Sequence, residues 1–223
     1  MNFPRKVASR VVLILAALAM VSCSSGYTGK PAVLKQLEPF AAEDRYVIAV
    51  MPFEFKGEQA EYRQSGDKLM DMAMIELFKT KRFRIVERSR ISAVLNEIQL
   101  GQAGITAGDM ADRIGKQLGA EMVMIGAIAS IRSIKSKDTV GIAHMNTSGF
   151  EVGLNGRLVN IAKGELVAVG QASAVEQQTV KVAMGAQTGS IDPEETILDK
   201  AFEKALRELV NDLAANIPPK SGA

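Results

Sequence analysis

His144 is the only histidine and Cys23 the only cysteine among the 223 residues, so these two positions bound most of the chemistry open to the chain. A Ser-His-Asp triad would have to use His144, and a metal site built on imidazole has no second ring to draw on. His144 lies between Gly141 and Gly149, a spacing that predicts a solvated or hydrogen-bonded histidine in a loop or hairpin. Asp109 and Asp112 share a helix face that would suit a cation, but Thr106-Ala107-Gly108-Asp109 already explains Asp109 as part of a variant capping box. Glu87-Arg88, at the end of an expected strand, reads as an ion pair or interface element in preference to a catalytic acid. Gly115, Gly119 and Gly126 fall inside and after a helix, not between a strand and a helix start, so they make no phosphate-cradling loop. Gly115 is expected to allow close packing. No enzyme, metal site or cofactor is expected from these residues.

Cys23 has a different chemistry in view. Arg5, Lys6 and Arg10 precede an apolar run, Val11 to Val21, and Met20-Val21-Ser22-Cys23 places small residues beside the cysteine. A transmembrane helix needs about 20 apolar residues, and this run is shorter. An ordinary cleaved secretory signal is the closer rival, but it would leave a lone free thiol in an oxidising compartment. The segment resembles the lipobox of bacterial lipoproteins, with Met20 where those signals usually carry Leu. That resemblance implies a signal peptide over residues 1–22, S-diacylglycerol and an N-acyl chain (palmitate) on Cys23, and, from Ser24 at the second mature position, an outer-membrane address. More than one acyl chain gives stable attachment where one gives marginal binding.

The chain carries 27 basic and 25 acidic residues, but three of the basic ones belong to residues 1–22, which leaves the remainder near −1. Nucleic acid is therefore not an expected partner. Trp is absent, Tyr occurs 3 times and Met 11 times, which suits a core of small and flexible aliphatics and not a base-stacking platform. Residues 23–44 are punctuated by Gly, Ser and Pro and read as an acylated terminus and tether, some 25 Å in mean span by a flexible-chain estimate of about 5–6 Å times the square root of length. A domain follows over residues 45–217, with a short tail at 218–223.

The elements of that domain follow from hydrophobic periodicity. Tyr46 to Met51 is a nearly continuous apolar run, a buried strand that Pro52 ends. Met70, Ala73, Met74, Leu77 and Phe78 form the stripe of an amphipathic helix over residues 66–80, and Phe83 to Glu87 a second strand. Ile91, Val94, Leu95 and Ile98 repeat the stripe, Gly101 and Gly104 break it, and Met110, Ala111, Ile114 and Leu118 form a further helix that Gly119 closes in the left-handed conformation. Glu121 to Ile131 is a third strand. The period then falls to two: Phe150, Val152, Leu154 and Leu158 alternate with polar residues, and a turn at Ala162-Lys163-Gly164 leads into Leu166 to Val175. Asp192 as N-cap and Pro193 at the first helical position open a last helix with Leu198, Ala201, Phe202, Ala205, Leu206, Leu209 and Leu213 on one face. The fold class is α/β (α+β): a central mixed sheet flanked by helices, antiparallel strand pairs in the second half and a long C-terminal helix.

Ile48-Ala49-Val50-Met51-Pro52-Phe53, Phe83 to Arg88, Leu95-Asn96-Glu97, the break at Gly101 to Ile105, Gly119-Ala120-Glu121 with Ile125-Gly126, and Arg157 to Asn160 followed by Lys163 to Leu166 resemble, in order and spacing, the curli production assembly/transport component family. The related penicillin-binding-protein activator lipoproteins are similar over the same stretch, about Val47 to Leu213. The resemblance implies a non-enzymatic lipoprotein of the outer membrane, its domain facing the periplasm, that acts as a homo-oligomer in secretion or assembly of curli-like surface protein, with secreted or envelope proteins as partners. In curli members, two hairpins per subunit build a barrel. Here the hairpin candidates at 135–157 and 166–184 look short against the 9–11 residues of a membrane strand, and the second carries Glu176, Gln177 and Gln178 in or beside its turn. Activation of a peptidoglycan synthase, or a periplasmic structural role without a channel, are the alternatives. An activator acting across the periplasm needs a long arm, whereas this tether extends to roughly 70 Å at most.

Overall fold

The computed structural model describes residues 34–55, 62, 64–101, 113, 115–140, 143–183, 186–189 and 192–222. Ten elements run along them: β1 (Tyr46–Val50), β2 (Glu54–Phe55), α1 (Ser65–Lys79), β3 (Phe83–Ile85), α2 (Arg88–Gly101), β4 (Met122–Val140), β5 (Ala143–Asn160), β6 (Glu165–Ala183), β7 (Ala186–Thr188) and α3 (Glu194–Ala215). Residues 115–118, before β4, are also helical. The sheet is mixed, in the order β3-β1-β4-β5-β6-β7, with β2 also paired to β4. β1 runs parallel to β3 and β4, and β4 to β7 form an antiparallel meander.

Ile48, Ala49 and Val50 are consecutive and completely buried, so β1 is covered on both faces, as a parallel strand with an unbroken apolar run should be. Pro52 interrupts the strand line, and pairing resumes through β2 against Ala127 and Ile128. α1 buries Leu69, Met70, Ala73, Glu76 and Leu77. Phe78, expected on the buried stripe, is instead 58% exposed, because the packed face is centred on Leu69, Ala73 and Leu77. Gly119 takes φ +65 and Gly164 φ +64, the left-handed positions that close the helical turn before β4 and the β5–β6 turn.

α3 lies over β5 and β6, contributing Leu198, Phe202, Leu206, Leu209 and Leu213 to the core beneath it. Its N-cap is Pro193 with extended backbone, not Asp192, and no side chain caps it. Asp192 instead receives the Lys200 ammonium on its carboxylate at 2.7 Å. The helix seats on a row of glycines: Gly126 pairs with Gly156 across β4–β5, and Gly156 with Gly170 across β5–β6. A Cβ on Gly126 would meet the Phe53 ring at 2.4 Å, and one on Gly156 or Gly170 would press Leu209 at 3.0 or 3.2 Å. The row is a trough across three strands that admits one aromatic ring and one helix.

The meander strands are the largest departure from expectation. β4 and β6 each have 19 residues and β5 has 18. Residues 166–184 do not form a hairpin: Glu176, Gln177 and Gln178 lie inside β6, paired with Phe150, Gly149 and Ser148, because they continue the ladder that β5 offers. The 135–157 candidate does contain a hairpin, since β4 and β5 pair from Met122↔Asn160 out to Val140↔Ala143. The last residues of β4, about nine from Arg132, span roughly 30 Å at about 3.4 Å per residue, and their inner part still packs on the body through Phe150 and the Lys135–Glu194 pair. We call this extension, with its partners in β5 and β6, the arm.

Candidate interaction surface

Strand alternation assigns every residue of the meander to a face. Met124, Gly126, Ile128, Ile131, Phe150, Val152, Leu154 and Leu158 point to the helix side and are buried. On the opposite face of β5 and β6, Arg157 stands beside Val169 and Asn155 beside Gln171, all exposed. Val169 is 59% and Leu166 56% exposed. Arg132 and Glu151, partners across β4–β5, form an ion pair at 3.1 Å on this same face. The face is a mixed polar and apolar floor that faces water in the described structure, the arrangement of an antiparallel sheet packed on one side.

The arm is fastened to the start of α3 by side chains. Gln178 makes a reciprocal pair with the backbone of residue 192: its Nε2 donates to the carbonyl at 3.0 Å, and the Asp192 N–H donates to Oε1 at 2.7 Å. Lys135 reaches Glu194 at 3.0 Å, and the Lys204 ammonium contacts Glu176. Further out, the Thr147 and Thr179 hydroxyls meet at 3.1 Å. His144 lies within β5, not in a loop, because β4 and β5 remain paired beyond it; its exposed ring meets the Thr139 hydroxyl through Nδ1 at 3.1 Å. Among the described residues no carboxylate is shown against the ring to complete a triad with that hydroxyl.

Arg88 pairs not with its neighbour Glu87 but with α1, contacting Asp71 and lying 3.6 Å from Asp67. Glu87 contributes its carbonyl to the first turn of α2, accepting from Arg90 and Ile91. Gly115 packs against the Ile161 side chain, 2.5 Å from where its Cβ would be, so its smallness serves the contact of a helical turn with the turn after β5. Asp109, Asp112, Thr106 and Cys23 lie outside the described residues. Among the described residues no three His, Cys, Asp or Glu side chains gather in a metal-sized cluster.

Two features had no signal in periodicity. Glu76, on the buried side of α1, meets Lys79 at 2.5 Å and has Arg207 Nε at 3.8 Å, beside an open groove of about 430 Å³ whose wall includes Leu34, Lys35, Thr80 and Asn211. Residues 34–44, the described end of the expected tether, lie along the domain: Asn211 exchanges two hydrogen bonds with the Lys35 backbone, and Arg82 donates to Glu38 O and stacks over the Phe40 ring. The tail is tied in as well. Lys220 donates to Glu121 at 2.7 Å, and the Ser221 N–H to Asp44 at 3.0 Å. Burial pushes the Glu121 carboxyl up, but hydrogen bonds from Lys220 and the Val47 N–H, with the charges of Lys220 and Arg84, outweigh it and hold the group below its ordinary value. Beside it, burial and then the charges of Glu121 and Asp44 raise the Tyr46 phenol.

Several solved structures resemble this one at low identity. They include lipoprotein GNA1162 from Neisseria meningitidis (14% identity, 70% of this chain and 91% of that chain, TM-score 0.39) and the LpoB C-terminal domain from Salmonella enterica (14%, 60% and 86%, TM-score 0.39). The PelC dodecamer from Paraburkholderia phytofirmans is similar at 14%, over 80% and 98%, with TM-score 0.40. No curated protein sequence matches the chain. The family model for the curli production assembly/transport component CsgG matches residues 30–220, spanning the docked segment, the whole meander and the final helix, and the chain belongs to that family.

Proposed function

We propose that this chain is an outer-membrane lipoprotein, anchored through a diacylated and N-acylated Cys23, whose domain faces the periplasm and works by contact with other proteins, as a homo-oligomer, in secretion or assembly of surface material. The family match over residues 30–220 carries the reading, since that family is described as an assembly and transport component. Among the described residues no helix is long and apolar enough to cross a membrane, which says nothing of strands.

The arm bears on how such a component would work. A lipid-facing barrel strand presents an apolar residue at every second position. The arm's helix-side face instead carries Lys135, Ser148, Gln178, Lys137 and Asn146 together with Val180 and Val182, and its other face Ser136, Thr147, Thr179, Asp138 and Lys181 together with Ile134 and Met145. Each of these apolar residues has a polar residue or glycine as its partner on the strand beside it, so neither face carries a continuous apolar band, which favours an arm that works in water at the membrane surface.

Electron microscopy and light scattering of the full chain in mild detergent test the proposal. It expects a closed oligomer with the arms outside the micelle. A strictly monomeric particle that stimulates a cell-wall synthase would replace it with the activator reading.

A further inference from the structure

We propose that the C-terminal end of α1, together with the adjoining Leu34, is the face the domain rests on an anionic phospholipid surface, with Ile75 and Phe78 entering the headgroup layer and Lys79 and Lys81 meeting the phosphates. This rests on the Cys23 anchor proposed above.

Six large apolar side chains are markedly exposed among the described residues, and three of them, Leu34, Ile75 and Phe78, belong to this end of the domain. Ile75 and Phe78 stand three positions apart on α1, hence on one side of the helix, and are 56% and 58% exposed. Lys81 holds its ammonium 4.7 Å from the centroid of the Phe78 ring. It does so from a left-handed backbone at φ 58, a conformation glycine adopts without penalty and lysine does not. The Lys79 side chain is 58% exposed, and the acid it contacts, Glu76, is itself buried and shared with Arg207. The combination of apolar side chains ringed by lysine is the composition of a surface that lies in a membrane interface.

Chain length supplies the occupant. Leu34 shares the groove wall with Lys79 and Thr80, and residues 34–44 are fixed to the domain by Asn211 and Arg82. Only residues 24–33 separate Leu34 from Cys23. Fully extended, they span about 35 Å, so the anchor holds Leu34 within that distance of lipid, and the side of the domain that carries Leu34 has the shortest path to it.

The chain has no tryptophan, so a single introduced indole reports on its own site. Phe78→Trp, and Ile75→Trp as a second reporter should the first fold poorly, are prepared in the full-length lipoprotein and reconstituted in phosphatidylethanolamine–phosphatidylglycerol vesicles with brominated acyl chains. Val169→Trp, on the open sheet face, is the comparison. The proposal expects both α1 reporters to be blue-shifted and quenched while Val169→Trp is not, and expects neutralising Lys79 or Lys81 with Gln to weaken the quenching about fivefold each. Chains that float with the vesicles but show α1 reporters as unquenched as Val169→Trp overturn it. Equal quenching on phosphatidylcholine alone overturns the role given to the lysines. Failure of the unsubstituted chain to float overturns the anchor reading and this docking with it.

Discussion

The inner and outer halves of β4, β5 and β6 are the same strands in the same ladder, yet they are held in place by different physics. In the inner half, Met124, Ile128, Val152, Leu154 and Leu158 alternate toward α3 and are buried, so a one-residue slip would turn the whole apolar set into water. In the outer half each face mixes polar residues with a few apolar ones, Val180 and Val182 on one and Ile134 and Met145 on the other, and the penalty is far smaller. Register there is inherited from the inner ladder and pinned by a few side-chain bridges, chiefly Gln178 to residue 192 and Lys135 to Glu194. A long sheet thus needs a hydrophobic face over only part of its length, and the rest can carry polar groups on both sides.

The largest break in this comparison comes from removing inner packing. Phe202→Ala empties a site that is 2% exposed between α3 and the sheet, and is expected to cost about 3–5 kcal/mol in urea denaturation. Gly126→Ala drives a methyl into the Phe53 ring and should cost about 1–3 kcal/mol. Adding Phe53→Leu should recover part of that loss, since the two positions share one volume.

In the arm the expected effects are smaller and local. Gln178→Ala removes the reciprocal bridge to residue 192, with an expected loss of about 1 kcal/mol and faster hydrogen exchange confined to the outer amides of β5 and β6. His144→Ala, at an exposed ring bonded to one hydroxyl, should change stability by less than about 0.5 kcal/mol.

Glu121 gives the inner end of the sheet a pH axis. Its folded value is depressed below the ordinary 4.5, so its contribution is full above that pH and is lost as the pH falls through the folded value. Glu121→Gln should flatten the acid limb of the stability curve. The change should be modest, since the side chain is 42% exposed and screened.

What could be read from the residues divides along the same line. The inner half was legible: alternation placed Phe150, Val152, Leu154 and Leu158 on the buried face, and the stripe of α3 was correct from Leu198 to Leu213. Gly119 and Gly164 were legible because a left-handed position selects glycine locally. The outer half was not, since polar residues interrupt the alternation on both faces and Glu176-Gln177-Gln178 breaks the apolar pattern as the end of a strand would. The glycine row is a contact across three strands, and Glu76 is buried by cations from α1 and α3, so neither has a local signature. Phe78 misled the helix reading because an exposed aromatic at the stripe's edge has the same spacing as a buried one.

The account turns on the anchor, and the intact mass of the mature protein isolated from membranes tests it most directly. The account predicts a chain that begins at Cys23 and carries a diacylglycerol group and one further acyl chain. A mature chain that begins elsewhere, or that begins at Cys23 with an unmodified thiol, would contradict it.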